Sequence, residues 1–146
     1  WKFKGGTRQN RFWHIDSLEN DEYFSIYLKN KICNQIGDYF KKCSVKRIYA
    51  NGQTACQVGS AHLDDGNMTL LYYPNPEWHY EWQGHLMYLT QENRDEDTYE
   101  PYRVVRYRPN RAVLFPAKIL HHADAPTRHF NGLRVSLAYK FAFPQE

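Results

Sequence analysis

After residue 44 the sequence divides into short apolar segments that end at turn signals, and this succession strongly limits the possible folds. The signals are Asn51-Gly52, Pro74-Asn75-Pro76, Pro109-Asn110 and Asn131-Gly132, residue types that favour turns. A hairpin through Asn51-Gly52 would join the first two of the expected strands. These strands are Val45–Ala50, Gln53–Val58, Met68–Tyr73, His85–Thr90, Arg103–Tyr107, Ala112–Phe115 and Leu133–Phe141. Many short strands in succession predict a closed β architecture: a sandwich, a barrel or a jelly roll.

The preceding segment has a helical period. Phe24, Leu28, Ile32, Ile36 and Phe40 recur every four residues, which predicts a helix from about residue 17 to residue 43. A chain of 146 residues has the length of a single domain. We expect residues 1–44 to form a helical support and residues 45–146 to form the β core. The predicted fold class is therefore mainly β with an N-terminal helix.

Composition excludes several classes of function. The net charge of +3 is too small and too evenly spread to indicate a nucleic-acid partner, and no apolar run is long enough for a membrane helix. The three cysteines include no CxxC pair, which favours a reducing compartment, so we predict a cytoplasmic location. Because the sequence begins at Trp1 rather than Met, we expect that part of the native N-terminus is missing.

Three separate elements carry residue types suited to metal chemistry. His62 and Asp64 are two positions apart, which places both side chains on one face of a strand. A histidine pair, His121-His122, follows a later strand. Arg134 opens the last strand, whose alternation places Arg134, Ser136, Ala138 and Lys140 on one face. An inward-facing arginine needs an anionic or polar partner.

Together these elements suggest a specific metal site. Two histidines and one carboxylate form the facial triad that holds Fe(II) in non-haem oxygenases. That triad leaves three coordination positions open, which a chelating 2-oxo acid and dioxygen can fill. The arginine would bind the far carboxylate of the acid through its guanidinium fork. The combination is far more specific than the HxD pair alone.

These motifs resemble those of the Fe(II)/2-oxoglutarate-dependent dioxygenases, in the prolyl-4-hydroxylase-like branch. The resemblance covers residues 47–141 and is carried by RIYANGQTACQVGSAHLDD, MTLLYYPNPEWHYEWQGHLMYL, RPNRAVLFPAKILHHADAP and LRVSLAYKF. It implies a double-stranded β-helix, or jelly roll, as the core. The sequence departs from the family's two-glycine pattern, because Gln83 stands beside Gly84.

The resemblance implies three iron ligands. His62 and Asp64 correspond to the first two, and the distal ligand is either His121 or His122. The family's distal histidine is often followed four residues later by a proline. Because Pro126 stands four residues after His122, the resemblance favours His122, with His121 as a neighbour.

The resemblance also implies a cosubstrate site. Arg134, twelve residues after His122, corresponds to the residue that binds the C5 carboxylate of 2-oxoglutarate. Tyr73 matches a family tyrosine whose hydroxyl helps hold that carboxylate, and Ser136 is a further candidate. Lys140 lies on the same face but further along the strand, where we expect the rim of the site.

The implied activity is hydroxylation of a C–H bond with Fe(II), 2-oxoglutarate and dioxygen, and with ascorbate as a candidate reductant. Succinate and carbon dioxide are the co-products. The expected substrate is a prolyl residue in a peptide or protein, and the alternative is a free amino acid or other small molecule. A nucleic-acid demethylase pattern would have a second arginine where this sequence has Lys140, which argues against that substrate.

Two other classes of protein have to be weighed. A jelly roll can be a binding module without activity, but such modules usually lose a metal ligand, and His62, Asp64 and Arg134 are all present. A cupin-like enzyme with another metal would normally add a third histidine or a glutamate near the first pair, and His62 is not part of an HxH motif. Iron binding separates these alternatives.

Overall fold

The computed structural model describes residues 1–4, 11–93 and 98–144. Nine strands lie in these ranges: β1 (Lys2–Lys4), β2 (Phe12–Ile15), β3 (Ser44–Gln53), β4 (Met68–Tyr73), β5 (Leu86–Asn93), β6 (Thr98–Val105), β7 (Arg111–Pro116), β8 (His121–Ala123) and β9 (Arg134–Ala142). The helical segments are a 3-10 turn (Leu18–Asn20), a π-helical segment (Tyr23–Leu28), α1 (Lys29–Ile36), α2 (Tyr39–Lys42) and a second 3-10 turn (Tyr80–Trp82).

The strands form two antiparallel sheets. The larger sheet has the order β1-β2-β3-β9-β4-β7 and the smaller has the order β6-β5-β8. Strands distant in the sequence, β3 and β9, pair at the centre of the larger sheet. This is the mainly β fold with a jelly-roll core that the sequence predicted.

The two faces of the larger sheet have different partners. On β9, Leu137, Tyr139 and Phe141 face the helices and form one apolar core with residues such as Ile32. A second, smaller apolar core contains Leu86, Tyr88 and Phe115. The alternate residues of β9, from Arg134 to Lys140, are buried on the opposite face, because successive side chains of a strand point to opposite sides.

The helical region keeps its predicted period but not its predicted length. Ile32 and Cys33 are buried against the larger sheet, with Phe24, Leu28, Ile36 and Phe40 packed around them. The predicted continuous helix is interrupted at Gly37, whose φ of 122° lies in a region that glycine tolerates best. Among the described residues, no helix is long and apolar enough to cross a membrane.

The predicted hairpin at Asn51-Gly52 is wrong. β3 continues through both residues, and Gly52 pairs with Val135 of β9. A Cβ atom at Gly52 would lie 2.9 Å from a methyl carbon of Leu133, so this glycine provides room for a neighbour rather than a turn. The predicted return strand from Gln53 to Val58 is therefore absent, and the chain leaves the sheet after Gln53.

The remaining strands differ in how well the sequence anticipated them. β4 has the predicted bounds, and β9 is shifted by one residue at each end. β6 begins at Thr98, five residues before the predicted start at Arg103, while residues 94–97 lie outside the described ranges. The sequence did not predict β1, β2 or β8.

Candidate active site

A short backbone bridge places two histidines opposite each other. The amide of His62 donates to the carbonyl of His121 at 3.0 Å, and the amide of His121 donates to the carbonyl of His62 at 3.1 Å. The two residues thus form a directly opposed antiparallel pair, in which both side chains point to the same side. Their ring centroids are 4.4 Å apart.

Asp64 is placed beside this pair by a separate backbone hydrogen bond. Its amide donates to the carbonyl of Ala117 at 2.9 Å. Its Oδ1 lies 3.5 Å from Nε2 of His62, and its Oδ2 lies 3.4 Å from Nε2 of His121. One ligand atom from each of His62, Asp64 and His121 lies within 4.8 Å of the others. We call these three residues the His–Asp–His cluster.

The structure does not bring His122 into this cluster, which corrects the expectation that favoured it over His121. His122 pairs with Met87 of β5 and lines a separate groove with Met87, Leu89 and Tyr99. The cause is the strand period, because the residue after His121 must point to the opposite face. The proline spacing that favoured His122 carries no information about this register.

The hydrogen bonds of the two clustered histidines leave one ring nitrogen of each free for a metal. Nδ1 of His62 lies 2.8 Å from the carbonyl oxygen of Ser60, and Nδ1 of His121 lies 2.8 Å from that of Ile119. A carbonyl oxygen only accepts hydrogen bonds, so each Nδ1 carries the proton. In the neutral rings Nε2 then has an available lone pair, and both Nε2 atoms face Asp64. Such backbone bonds orient metal-ligating histidines.

The environment also favours a cation between these side chains. Burial lowers the pKa of His121 to about 4, so this ring is neutral at pH 7. Burial alone would raise the pKa of Asp64, but the neighbouring His62 ring, the positive charge of Lys140 and the hydrogen bonds from Lys140 and Thr69 outweigh it and hold the pKa below its usual value. The pKa of His62 is raised, chiefly by the neighbouring carboxylate of Asp64. An ionised carboxylate beside imidazole nitrogens is the donor set that suits Fe(II).

Lys140 contacts the cluster directly, so the expectation that it lies at the rim is wrong. Its side chain is 1% exposed, and Nζ donates to Oδ2 of Asp64 and to Oγ1 of Thr69 at 3.2 Å. Thr69 Oγ1 donates to the same Oδ2 at 2.6 Å. Alternation along β9 had placed Lys140 on the correct face. What the sequence could not give was the position of Asp64 relative to that strand.

Arg134 lies at the other end of the same face of β9, 1% exposed. Its Nε donates to the carbonyl of Gly84 at 2.6 Å, and its Nη1 donates to Oε1 of Gln53 at 2.8 Å. The guanidinium also lies 4.8 Å from the ring centroid of Tyr107 and 5.6 Å from that of Tyr73. Sequence reasoning missed Gln53 because the expected hairpin placed it on another strand.

The Gln83-Gly84 turn is shaped by the contact with Arg134. Gly84 has a φ of 67°, and a Cβ atom there would lie 2.9 Å from Cδ of Arg134. Glycine is therefore required twice, for its backbone angle and for its lack of a side chain. Gln83 has a φ of 53°, so the residue that replaces the family's other glycine still adopts a left-handed conformation.

Tyr73 carries a buried polar atom without a partner. Its side chain is fully buried, and its hydroxyl makes no hydrogen bond among the described residues. Burial raises the pKa of this phenol, which therefore stays protonated and can donate. An unsatisfied buried hydroxyl costs free energy. A ligand carboxylate held near Arg134 is an acceptor that would satisfy it, so the residues present fit a dicarboxylic cosubstrate.

A cavity of about 580 Å³ adjoins both ends of the site. It is lined by His62 and Asp64 of the cluster, by Gln53 and Ser136 near Arg134, and by Phe12 and His14 of β2. Trp78 and Trp82 instead pack on Phe130, with ring centroids 4.7 and 5.1 Å away. These two rings therefore pack against Phe130, and neither lines this cavity.

A jelly roll with a two-histidine, one-carboxylate cluster at a cavity defines the class of mononuclear non-haem metal proteins. The sequence profile of the 2OG-Fe(II) oxygenase superfamily matches residues 5–141. The chain belongs to this superfamily, whose members use Fe(II), 2-oxoglutarate and dioxygen. The His–Asp–His cluster fits iron binding.

Solved structures support the same fold at low sequence identity. A prolyl-4-hydroxylase from Pseudomonas putida superposes with a TM-score of 0.57 at 15% identity, over 98% of this chain and 78% of that one. SnoK, an α-ketoglutarate-dependent carbocyclase from nogalamycin biosynthesis, gives 0.66 at 10% identity, over 97% and 68%.

A 2OG-Fe(II) oxygenase family protein from Burkholderia pseudomallei gives a TM-score of 0.54 at 15% identity, over 77% of this chain. The match spans 55% of the Burkholderia protein. No curated protein sequence matches the chain.

Proposed function

We propose that the protein is a 2-oxoglutarate-dependent Fe(II) dioxygenase that hydroxylates a C–H bond, with His62, Asp64 and His121 as its iron ligands. One observation carries the proposal: the Nε2 atoms of both histidines face an ionised carboxylate, and all three ligand atoms lie within 4.8 Å. Backbone carbonyls hold both rings in the tautomer that a metal requires.

The three ligands have distinct parts in this proposal. His121 and Asp64 are buried, and they provide one neutral donor and one anionic donor. His62 is half exposed, so it lies where the site meets the cavity. When bound, iron and 2-oxoglutarate supply oxidative decarboxylation with dioxygen, with succinate and carbon dioxide as co-products.

We further propose that Arg134 and Tyr73 hold the C5 carboxylate of 2-oxoglutarate. Arg134 supplies a fixed positive charge, since its Nε and Nη1 are held by Gly84 and Gln53. Tyr73 supplies a hydroxyl with no other partner among the described residues. Ser136 is buried on the cavity wall between the two ends of the site, where it can donate to the same molecule.

The proposed substrate is a prolyl residue of a peptide or protein, and a free amino acid or other small molecule is the second candidate. The fold similarity to a prolyl-4-hydroxylase supports the first, and the similarity to the carbocyclase SnoK supports the second. The cavity of about 580 Å³ falls within the usual range for small-molecule sites. The three cysteines are free thiols, which fits the cytoplasmic location that we propose.

The proposal is tested by anaerobic titration of the metal-free protein with Fe(II) and 2-oxoglutarate. The measured signal is the visible metal-to-ligand charge-transfer band of the chelate, in the wild type and in Asp64→Ala and Arg134→Ala. We expect a band in the wild type, none in Asp64→Ala, and a much higher 2-oxoglutarate requirement in Arg134→Ala. His122→Ala is the matched control for His121→Ala, and only the latter should lose the band.

A folded wild type that shows no band would contradict the proposal and would favour a jelly-roll binding module. If the band forms, prolyl peptides and free amino acids are then compared by mass spectrometry for a gain of one oxygen atom. Oxidation of free amino acids but not of prolyl peptides would favour the second substrate class, a free amino acid or other small molecule.

A further inference from the structure

The two oxygens of the Asp64 carboxylate have different partners. Oδ2 accepts hydrogen bonds from Lys140 Nζ and from Thr69 Oγ1. Oδ1 lies 3.5 Å from His62 Nε2 and Oδ2 lies 3.4 Å from His121 Nε2, and both distances are longer than an ordinary hydrogen bond. Two donors occupy the two lone pairs of Oδ2, so Oδ1 is the oxygen that remains for a metal.

The two donors lie on neighbouring strands of the larger sheet. Thr69 of β4 and Lys140 of β9 are directly paired across the larger sheet, and both are fully buried. The Lys140 ammonium also lies 5.3 Å from the ring centroid of Tyr49. The carboxylate is thus held from the sheet, whereas His62 is held by a loop segment outside the strands.

We infer that Lys140 and Thr69 are positioning residues that make Asp64 a one-oxygen ligand of the metal. This inference rests on the proposed function. A carboxylate that chelates through both oxygens occupies two coordination positions instead of one. By holding Oδ2, Lys140 and Thr69 keep free one of the three positions that a bidentate 2-oxo acid and dioxygen together would need.

Loss of Lys140 should therefore change two affinities in opposite directions. The carboxylate could turn and chelate, and a cation next to the metal would be removed, so the metal alone binds more tightly. The extra carboxylate oxygen and the lost positive charge both disfavour a dianionic 2-oxo acid, which binds more weakly. A general loss of folding would instead weaken both.

The experiment uses Mn(II) as the metal and isothermal titration calorimetry under identical buffer conditions. Mn(II) is titrated into the metal-free protein, and 2-oxoglutarate is then titrated into the Mn(II)-loaded protein. For Lys140→Met we expect about tenfold tighter Mn(II) and about tenfold weaker 2-oxoglutarate. Thr69→Val keeps the side-chain shape and leaves the charge of the site unchanged. It should also tighten Mn(II) binding and weaken 2-oxoglutarate binding, each by about threefold.

Lys118→Met is the matched control for charge. Lys118 Nζ donates to the backbone carbonyl of Asp64 at 3.1 Å, so it is a nearby cation that does not touch the carboxylate. This variant should leave both affinities within about twofold of the wild type. Circular dichroism confirms that each variant is folded.

The outcomes separate the two proposals. A wild type that binds no Mn(II) would contradict the proposed function itself. Suppose instead that the wild type binds Mn(II) and 2-oxoglutarate, and that both Lys140→Met and Thr69→Val are folded. If the Mn(II) and 2-oxoglutarate affinities of these variants do not then shift in opposite directions, only the positioning role is overturned. Equal shifts in Lys118→Met would overturn it as well, because charge alone would then account for the effect.

Discussion

The two faces of β9 show how one strand can serve stability on one side and chemistry on the other. Toward the helices, Leu137, Tyr139 and Phe141 join an apolar core. Toward the cavity, Arg134 and Lys140 are as deeply buried, yet each is held by specific hydrogen bonds. Apolar burial tolerates many partners, whereas a buried charge requires particular ones. We therefore expect substitutions on the two faces to change different measured quantities.

The largest change in stability should come from the helix-facing side. Phe141→Ala removes a ring that is 1% exposed and lies 5.8 Å from the ring of Phe40. We expect the free energy of unfolding to fall by about 4 kcal/mol, measured by urea denaturation. The matched control is Phe143→Ala, at a position that is 41% exposed, which should cost about 1 kcal/mol or less. Similar losses of stability in both variants would contradict this account of the apolar core between β9 and the helices.

Acid should destabilise the metal-free protein through protonation of His121, on the cavity side of the larger sheet. The pKa of His121 is lowered from 6.5 to about 4 by burial, so below pH 6.5 the unfolded chain binds more protons at this residue than the folded chain. Its contribution to stability is present above pH 6.5 and is lost as pH falls to 4, about 3 kcal/mol in total.

Urea denaturation across this pH range measures the effect. His121→Gln should flatten the dependence, while His129→Gln, at an exposed residue, should keep the wild-type slope. A wild-type slope in His121→Gln would show that other groups control acid unfolding.

Arg134→Lys separates charge from geometry on the cavity side. Lysine keeps the positive charge but loses the planar fork that binds a carboxylate at two points. We expect about 100-fold weaker binding of 2-oxoglutarate to the metal-loaded protein, measured by calorimetry, with metal affinity nearly unchanged. Arg111→Lys on the edge strand β7 is the control and should have no effect. Normal 2-oxoglutarate affinity in Arg134→Lys would remove this residue from the cosubstrate site.

Tyr73→Phe should give the smallest effect. The Tyr73 hydroxyl has no hydrogen-bond partner among the described residues, so its removal should leave the free energy of unfolding unchanged or slightly higher. Binding of 2-oxoglutarate should weaken by about fivefold because one donor is lost. In Tyr72→Phe the lost hydroxyl is the one that bonds Asn110, and 2-oxoglutarate affinity should stay normal. Lower stability in Tyr73→Phe would indicate an internal partner for its hydroxyl.

The sequence predicted the parts of this fold that depend on local periodicity. β4, β9 and the alternation that puts Arg134 and Lys140 on one face follow directly from the spacing of apolar residues. The hairpin at Asn51-Gly52 failed because pairing with β9 overrides a local turn preference. Gly52 satisfies a steric demand of Leu133, a residue 81 positions away in the sequence.

The choice between His121 and His122 shows the same limit within the site. HxD and Arg134 are recognisable as motifs, but the third member of the cluster depends on which residue lies opposite His62. That register is fixed by two hydrogen bonds between segments nearly 60 residues apart. A shift of one residue would exchange the two faces, and no local pattern in the sequence encodes it. Lys140 was expected at the rim of the site for a similar reason, because no local pattern gives the position of Asp64 relative to β9.

The backbone bridge between His62 and His121 makes these two residues sensitive to occupancy of the site. Each donates its amide proton to the other, so both protons can exchange with solvent only when the bridge opens. A cation held by both side chains would tie the two segments together and suppress that opening, as any ligand specific for the folded state does. Amide exchange at His62 and His121 would thus report metal occupancy without a chromophore or a known substrate.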